Sequence, residues 1–311
     1  MPLVLSVLPV AVLLGQLTSS AAWSTGRPTE CGLRGEYGAA GGRSGNVWER
    51  AKSPELRRYC DLVASAASKL AGTTAMAEQA LASAKEADQV LSGHAAPLVL
   101  QGRALEALGK LDEALAALTD GQAREPGALD DPRAMLAWGR VLARTGHADK
   151  AADAYRALLP RTSSLPASER AAAEIEAGLL ALARGPSGLD EAAAALREAV
   201  REAQDEPRAV ALLALALVLE RRGDAEESRA LLAERAHGDP RTALTTPRAK
   251  ELLAVAPGEA SAIVALALEP SDPAGARDAW QVYLTAAPQG PWAKAAQAHV
   301  ATLGAGRGRH R

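Results

Sequence analysis

Gly109-Lys110-Leu111-Asp112-Glu113-Ala114 is the stretch on which the fold turns, because its core returns as Gly188-Leu189-Asp190-Glu191-Ala192. A looser form of the same frame stands at Gly146 to Ala151 and again at Gly223 to Ser228. With Gly72, the turn glycines at 72, 109, 146, 188 and 223 are 35 to 42 residues apart. Four residues beyond the small residue of each frame comes a large one: Leu118, Tyr155, Leu196 and Leu232. Self-similarity at a period of this length is the mark of a repeat architecture. Upstream, Ser53-Pro54-Glu55 is a helix start, with an N-cap hydroxyl, proline in the first turn and an acid near the positive helix end. Apolar residues then recur at three- and four-residue intervals through Leu56, Tyr59, Cys60, Val63, Ala67 and Leu70, the period of an amphipathic helix. The spacing predicts pairs of short helices joined by glycine turns. Pro126, Pro207 and Pro240 are expected to end second helices, since proline cannot continue one.

These hairpins resemble tetratricopeptide repeats. In that family a small residue midway along the first helix permits close packing, the place held here by Gly102, Gly139 and Gly178. Gly102, Leu105, Gly109, Ala114, Leu118 and Pro126 make the fullest match, and the third repeat carries Pro186-Ser187 as an insertion at its turn. The resemblance implies an all-α, right-handed solenoid of stacked helical hairpins over residues 53–303. The frame loosens between Arg241 and Pro257, where Thr245-Thr246-Pro247 and Pro257-Gly258 read as turns. It resumes at Ala260–Leu268 and Ala274–Ala287, with Trp280 and Tyr283 in the bulky positions and Pro288 closing the hairpin. Trp292–Leu303 is expected to cover the end of the stack, as solenoids require. This ending is similar to that of bacterial cell-envelope tetratricopeptide proteins.

Composition agrees with a helical reading. Of 311 residues 48% are hydrophobic, yet only 3% are aromatic and Phe is absent. Alanine, the best helix former, fills the space, whereas sheets favour branched and aromatic residues. A net charge of −2 argues against general nucleic-acid binding, which needs a basic surface. No catalytic pattern emerges. None of His94, His147, His237, His299 and His310 lies three or four residues from another, as helical metal ligands would. The glycine run from Gly38 to Gly45 has no Gly-Lys-Ser/Thr ending and no preceding strand, so it is not a phosphate loop. Acid pairs such as Asp130-Asp131 and Glu226-Glu227 belong to turns and helix starts, where they complement the helix dipole. The expectation is a protein without enzymatic activity, metal or cofactor.

The ends carry different signals. Leu3–Leu17 is almost wholly apolar, about 15 residues long against the roughly 20 needed to span a bilayer. Ser20-Ala21-Ala22 follows with the small residues of a signal-peptidase site. Residues 1–22 therefore read as a secretory signal, although no Lys or Arg precedes the apolar run. Residues 23–52 read as a Gly-rich lead segment and 304–311 as a disordered basic tail. Cys31 and Cys60 are the two cysteines, and in an oxidising compartment they are expected to pair. Such a bridge would stabilise by roughly 3 to 4 kcal/mol in the chain-entropy model.

Stacked hairpins leave a groove lined mainly by first helices. Helical phase points Arg103, Arg140, Arg144 and Arg133 into it, with Glu106 and Glu220 nearby. Guanidinium forks grip carboxylates well, so an acidic or C-terminal peptide is the expected partner. The carboxylate-clamp subtype of the family also places Asn in the groove, where this chain has Arg103 and Arg140, so that subtype is not supported. The expected role is a non-catalytic, protein-binding scaffold of the bacterial cell envelope. A glycan- or peptidoglycan-binding accessory of an envelope enzyme is the alternative, and it would need exposed Trp and Tyr.

Overall fold

A computed structural model describes residue 31 and residues 54–71, 74–234 and 240–305. The expected signal at 1–22, the lead segment apart from Cys31, Ser53, the turn at Gly72 and the tail from 306 onward lie outside the described residues. The described chain is all-helical. Five hairpins come first. They are α1 (Pro54–Lys69) with α2 (Thr74–Val90), α3 (Ala95–Ala107) with α4 (Leu111–Arg124), and α5 (Pro132–Arg144) with α6 (Ala148–Leu158). Then follow α7 (Ala167–Ala183) with α8 (Leu189–Glu202), and α9 (Asp205–Arg222) with α10 (Ala225–Glu234). Both Leu-Asp-Glu-Ala stretches open second helices, with their acids in the first turn.

In three of these hairpins the expected pairing of a small residue with a large one is present. A methyl group added at Gly102 would collide with Leu118, one at Gly178 would come 2.6 Å from Leu196 Cγ, and one at Gly139 2.8 Å from the Tyr155 ring. The two helices touch at these points, and the large residue fills the space the glycine leaves. In the second helix of the fifth hairpin Ser228 stands where the others have Ala114, Ala151 and Ala192. It is buried and donates to the Ala216 carbonyl at 2.8 Å, so its hydroxyl is not left unpaired.

The turns follow one rule and break it once. Gly109, Gly146 and Gly223 have positive φ of 73°, 84° and 90°. In each case the next residue donates back across the turn: Lys110 to Leu105, His147 to Leu142, Asp224 to Leu219, at 2.8–2.9 Å. This is the glycine-terminated helix ending that satisfies the last carbonyls. In the turn between α7 and α8 the left-handed glycine is Gly185 (φ 89°), not Gly188 as the sequence suggested. Its successor is Pro186, which has no N–H to donate. The chain instead makes a short 3-10 turn, Pro186–Gly188, and Gly188 packs under the Ala181 carbonyl where no side chain fits. Counted on Gly185, the turns fall at 109, 146, 185 and 223, a steadier step of 37 to 39 residues.

The prolines also act differently from expectation. Pro126 does follow α4, but Pro207 lies in the first turn of α9 and Pro240 is the first residue of a new helix. Proline suits that position because its N–H would be unused there anyway. The stretch that looked like a loosened frame is thus two short helices, α11 (Pro240–Thr245) and α12 (Pro247–Leu253). Thr246 caps α12 by accepting from Ala249 N at 3.1 Å, and Pro257 opens α13 (Pro257–Leu268). Asp272 caps α14 (Pro273–Ala286), accepting from Gly275 N at 2.9 Å. The last helix, α15 (Ala293–Ala305), includes Gly304 and Ala305, which the sequence had assigned to the tail.

Successive first helices touch at α1–α3, α3–α5 and α7–α9, while no successive second helices pack comparably. The first helices therefore form the inner row. From α7 onward this inner row is not open. α11, α12 and α13 pack on α9, and α12 and α13 also reach α7. Trp292 donates to the Leu182 carbonyl at the end of α7, 2.9 Å away and 110 residues back. α15 pairs with α14 and meets the C-terminal ends of α7 and α9 through Trp292 and His299. Every residue of Ala209–Leu219 in α9 is buried, and so is every one of Ala171–Leu182 in α7. A polar seam joins α9 to this C-terminal unit. His299 lies between Glu220 (3.0 Å) and Glu269 (2.7 Å) and stacks on Trp280 at 4.5 Å between ring centres. Arg221 sits between the faces of Trp280 and Trp292, 5.3 and 5.4 Å from their centres.

At the other end, Cys31 and Cys60 form a disulfide with the sulfurs 2.09 Å apart. Cys60 is fully buried on α1 beside Tyr59 and Val63, so the bridge ties residue 31 to the first hairpin's core.

Candidate interaction cleft

Where the inner row stays open, α3, α5 and the start of α7 border a cleft of about 590 Å³, with α12 on its far side. All four arginines expected in the groove line it: Arg103 from α3, and Arg133, Arg140 and Arg144 from α5. Glu106 is there too. Glu220 is not, because α15 covers it with His299. Arg248 and Glu251 of α12 and Glu169 of α7 join the lining, and sequence reasoning had singled out none of the three.

The arginines are already engaged with carboxylates from neighbouring repeats. Arg133 Nε donates to Glu169 at 3.2 Å. Arg140 Nε shares its proton between both Glu176 oxygens, each at 3.0 Å, and Tyr155 donates its hydroxyl to the same carboxylate at 2.7 Å. Arg144 reaches back to Glu106 at 3.3 Å. The carboxylate of Glu176 is fully buried and the Arg140 side chain only 14% exposed. Burial alone would pull the Arg140 guanidinium toward neutrality, but Glu176 and Glu106 outweigh it and hold the group firmly charged. The Tyr155 hydroxyl is pushed well up, first by burial and then by the Glu176 charge, so it stays protonated and keeps donating. Burial likewise lowers Arg103 and raises Glu106 and Asp131. Asp131 is the N-cap of α5 and accepts from Ala134 N at 3.0 Å.

A sequence signal for this lattice did exist. Arg133 and Arg140 are seven residues apart on α5, and Glu169 and Glu176 are seven apart on α7. Each Arg–Glu pair spans 36 residues, close to the repeat step. Seven residues is about two helical turns, so both rows face each other in register.

No family model matches the chain, and no curated protein matches it.

The cleft lining has no hydroxyl, thiol or imidazole side chain, so its chemistry is that of fixed charges and short apolar stretches from Leu136, Ala137 and Leu70. Among the described residues no group of three potential metal ligands gathers, and no helix is long and apolar enough to cross a membrane. Every Trp and Tyr among the described residues is buried or partly buried.

Proposed function

We propose that this chain is an exported, non-catalytic scaffold of the bacterial cell envelope, a right-handed solenoid of the tetratricopeptide kind, which binds a partner polypeptide in the cleft between α3, α5, α7 and α12. The observation that carries this reading is the cleft itself, in which guanidinium groups from two successive repeats converge over a floor of Leu136 and Ala137. Forked donors beside small apolar patches suit an extended peptide bearing carboxylates. The glycan alternative calls for exposed aromatic platforms, and the described aromatics do not supply them.

Which arginine to change matters. Arg140 holds the buried Glu176, and reversing it would bury two facing carboxylates and unfold the repeat junction. Arg144 is the better probe, since its side chain is 24% exposed against 14% for Arg140 and its bond to Glu106 is the longer one at 3.3 Å. A pull-down from envelope extract should recover a partner with the wild-type chain and lose most of it with Arg144→Ala at equal thermal stability. Recovery of the same partner at the same level by Arg144→Ala removes the cleft from the interaction.

The paired cysteines suit an oxidising compartment. Intact mass of the native, non-reduced protein should correspond to a chain starting near Trp23 and lacking two hydrogens. A mass that begins at Met1 with two free thiols would refute the exported form.

A further inference from the structure

The cleft contains one carboxylate that does not belong to the repeat lattice. Glu106, Glu169 and Glu176 come from first helices and bind arginines of adjacent repeats. Glu251 comes from α12, which follows a different course. α12 is seated by Ala249, Leu252 and Leu253, all buried, against α7 and α9. Its opposite side presents Arg248 and Glu251 to the cleft. Glu251 is bonded to Arg248, three residues earlier on its own helix, at 2.6 Å. It reaches Arg140 Nη1 only at 3.9 Å. Its side chain is 43% exposed, against 35% for Glu169, 11% for Glu106 and none for Glu176. It is thus the most exposed carboxylate in the cleft, held by an arginine of its own helix, and it faces Arg140 Nη1, whereas the lattice bonds to Glu176 run from Nε.

Resting on the reading of this cleft as a peptide site, we infer that Glu251 is an internal stand-in for the partner's carboxylate, which it must yield to between Arg140 Nη1 and Arg248 when the partner binds. The exchange needs only a side-chain rotation, because the buried contacts of α12 do not involve Glu251. It replaces one exposed ion pair with another, so the chain's own carboxylate acts as a competitor that sets a threshold on which acidic segments bind. A single carboxylate gains little over Glu251. A segment that adds backbone or apolar contacts along Leu136 and Ala137 gains more.

The test uses the mature full-length chain with a blocked hexaglutamate peptide and hexaglutamine as its uncharged control, followed by titration calorimetry. Exposed ion pairs of this kind shift equilibria by about two- to fivefold. Glu251→Gln should tighten hexaglutamate by that factor, Arg248→Ala should weaken it, and hexaglutamine should bind none of the variants. Glu113→Gln, on the exposed first turn of α4, removes the same charge far from the cleft and should change nothing. Equal tightening by Glu113→Gln would reduce the effect to net charge and overturn the inference. Unchanged affinity in Glu251→Gln, or no hexaglutamate binding by any variant, also overturns it. The broader peptide reading falls separately, on the Arg144→Ala pull-down.

Discussion

Gly102 shows how much a single position can carry. Its missing side chain is the space into which Leu118 packs, so Gly102→Leu forces two large groups into one site. Overpacking of this kind costs about 1–3 kcal/mol or more. Lys110 is exposed beside the turn, where a substitution shifts stability by about 0.5 kcal/mol or less. Thermal melts should therefore show a clear drop for Gly102→Leu and almost none for Lys110→Leu. Matching melting temperatures would mean that α3 and α4 do not pack in this register. Gly102, Gly139 and Gly178 were legible in the sequence because a small residue and a large one recur at fixed distance. Gly185 and Gly188 were not separable that way. Both are glycines at one turn, and the difference between them is a backbone angle and the missing N–H of Pro186. The arginines were legible as a row on α5, but their partners were missed, since an Arg on one repeat and a Glu on the next show no local pattern.

Individual helices differ in how readily they announce themselves. α1 to α10 came through as hairpins because glycine turns and apolar periods coincide. α11 and α12 did not, because Thr-Thr-Pro and Pro-Gly serve equally as turns and as helix starts, and only the Thr246 cap decides. The junction of α15 with α9 gives these elements a shared dependence on pH. Burial alone would lower the His299 pKa, but its bonds to Glu220 and Glu269 raise it to about 9. The folded state therefore holds this proton more tightly than the unfolded chain, whose value is near 6.5. The stabilisation is complete below about pH 6.5 and is lost as pH rises through about 9; a shift of this size is worth on the order of 3 kcal/mol, reduced by solvent screening because the ring is part-exposed. Burial also raises Glu259 of α13 to about 7, with Arg221 opposing, and that adds a loss of the same sign between about pH 4.5 and 7. The wild-type melting temperature should fall between pH 7 and pH 9.5, and His299→Gln should flatten the fall over that range. An unchanged pH profile in His299→Gln would mean that this imidazole does not bridge the two helices.

Over the whole molecule, the decisive departure from the expected solenoid is that the chain covers its own inner row. A clue lay in composition: Ala209–Leu219 is apolar all round, and such a helix has no solvent face to offer. In an open solenoid α9 would have kept one. A chain ending before Pro240 would leave the inner faces of α7 and α9 bare, an apolar patch well beyond what monomeric proteins tolerate. This truncation should aggregate or bind hydrophobic dyes during size-exclusion analysis, although five complete hairpins remain. A monodisperse, dye-silent product would mean that α11 to α15 form a detachable unit. α3 and α5, by contrast, meet this unit at the cleft through Arg248 and Glu251 of α12, so the proposed guest site lies where the cover is thinnest.

The bond from Trp292 to the Leu182 carbonyl also sets an order in time. A ribosome adds about 5–20 residues per second, so the 110 residues between donor and acceptor take roughly 5–20 s to appear. Within that interval the array is complete at Glu234 while α11 to α15 are still to come. Local hairpins close in microseconds to milliseconds, so the wait falls on a nearly finished array with one sticky side. Until residues 240–292 have followed, the inner faces of α7 and α9 stay bare, and that is the stage at which a holding factor or an unfolded passage would matter to a nascent chain of this design.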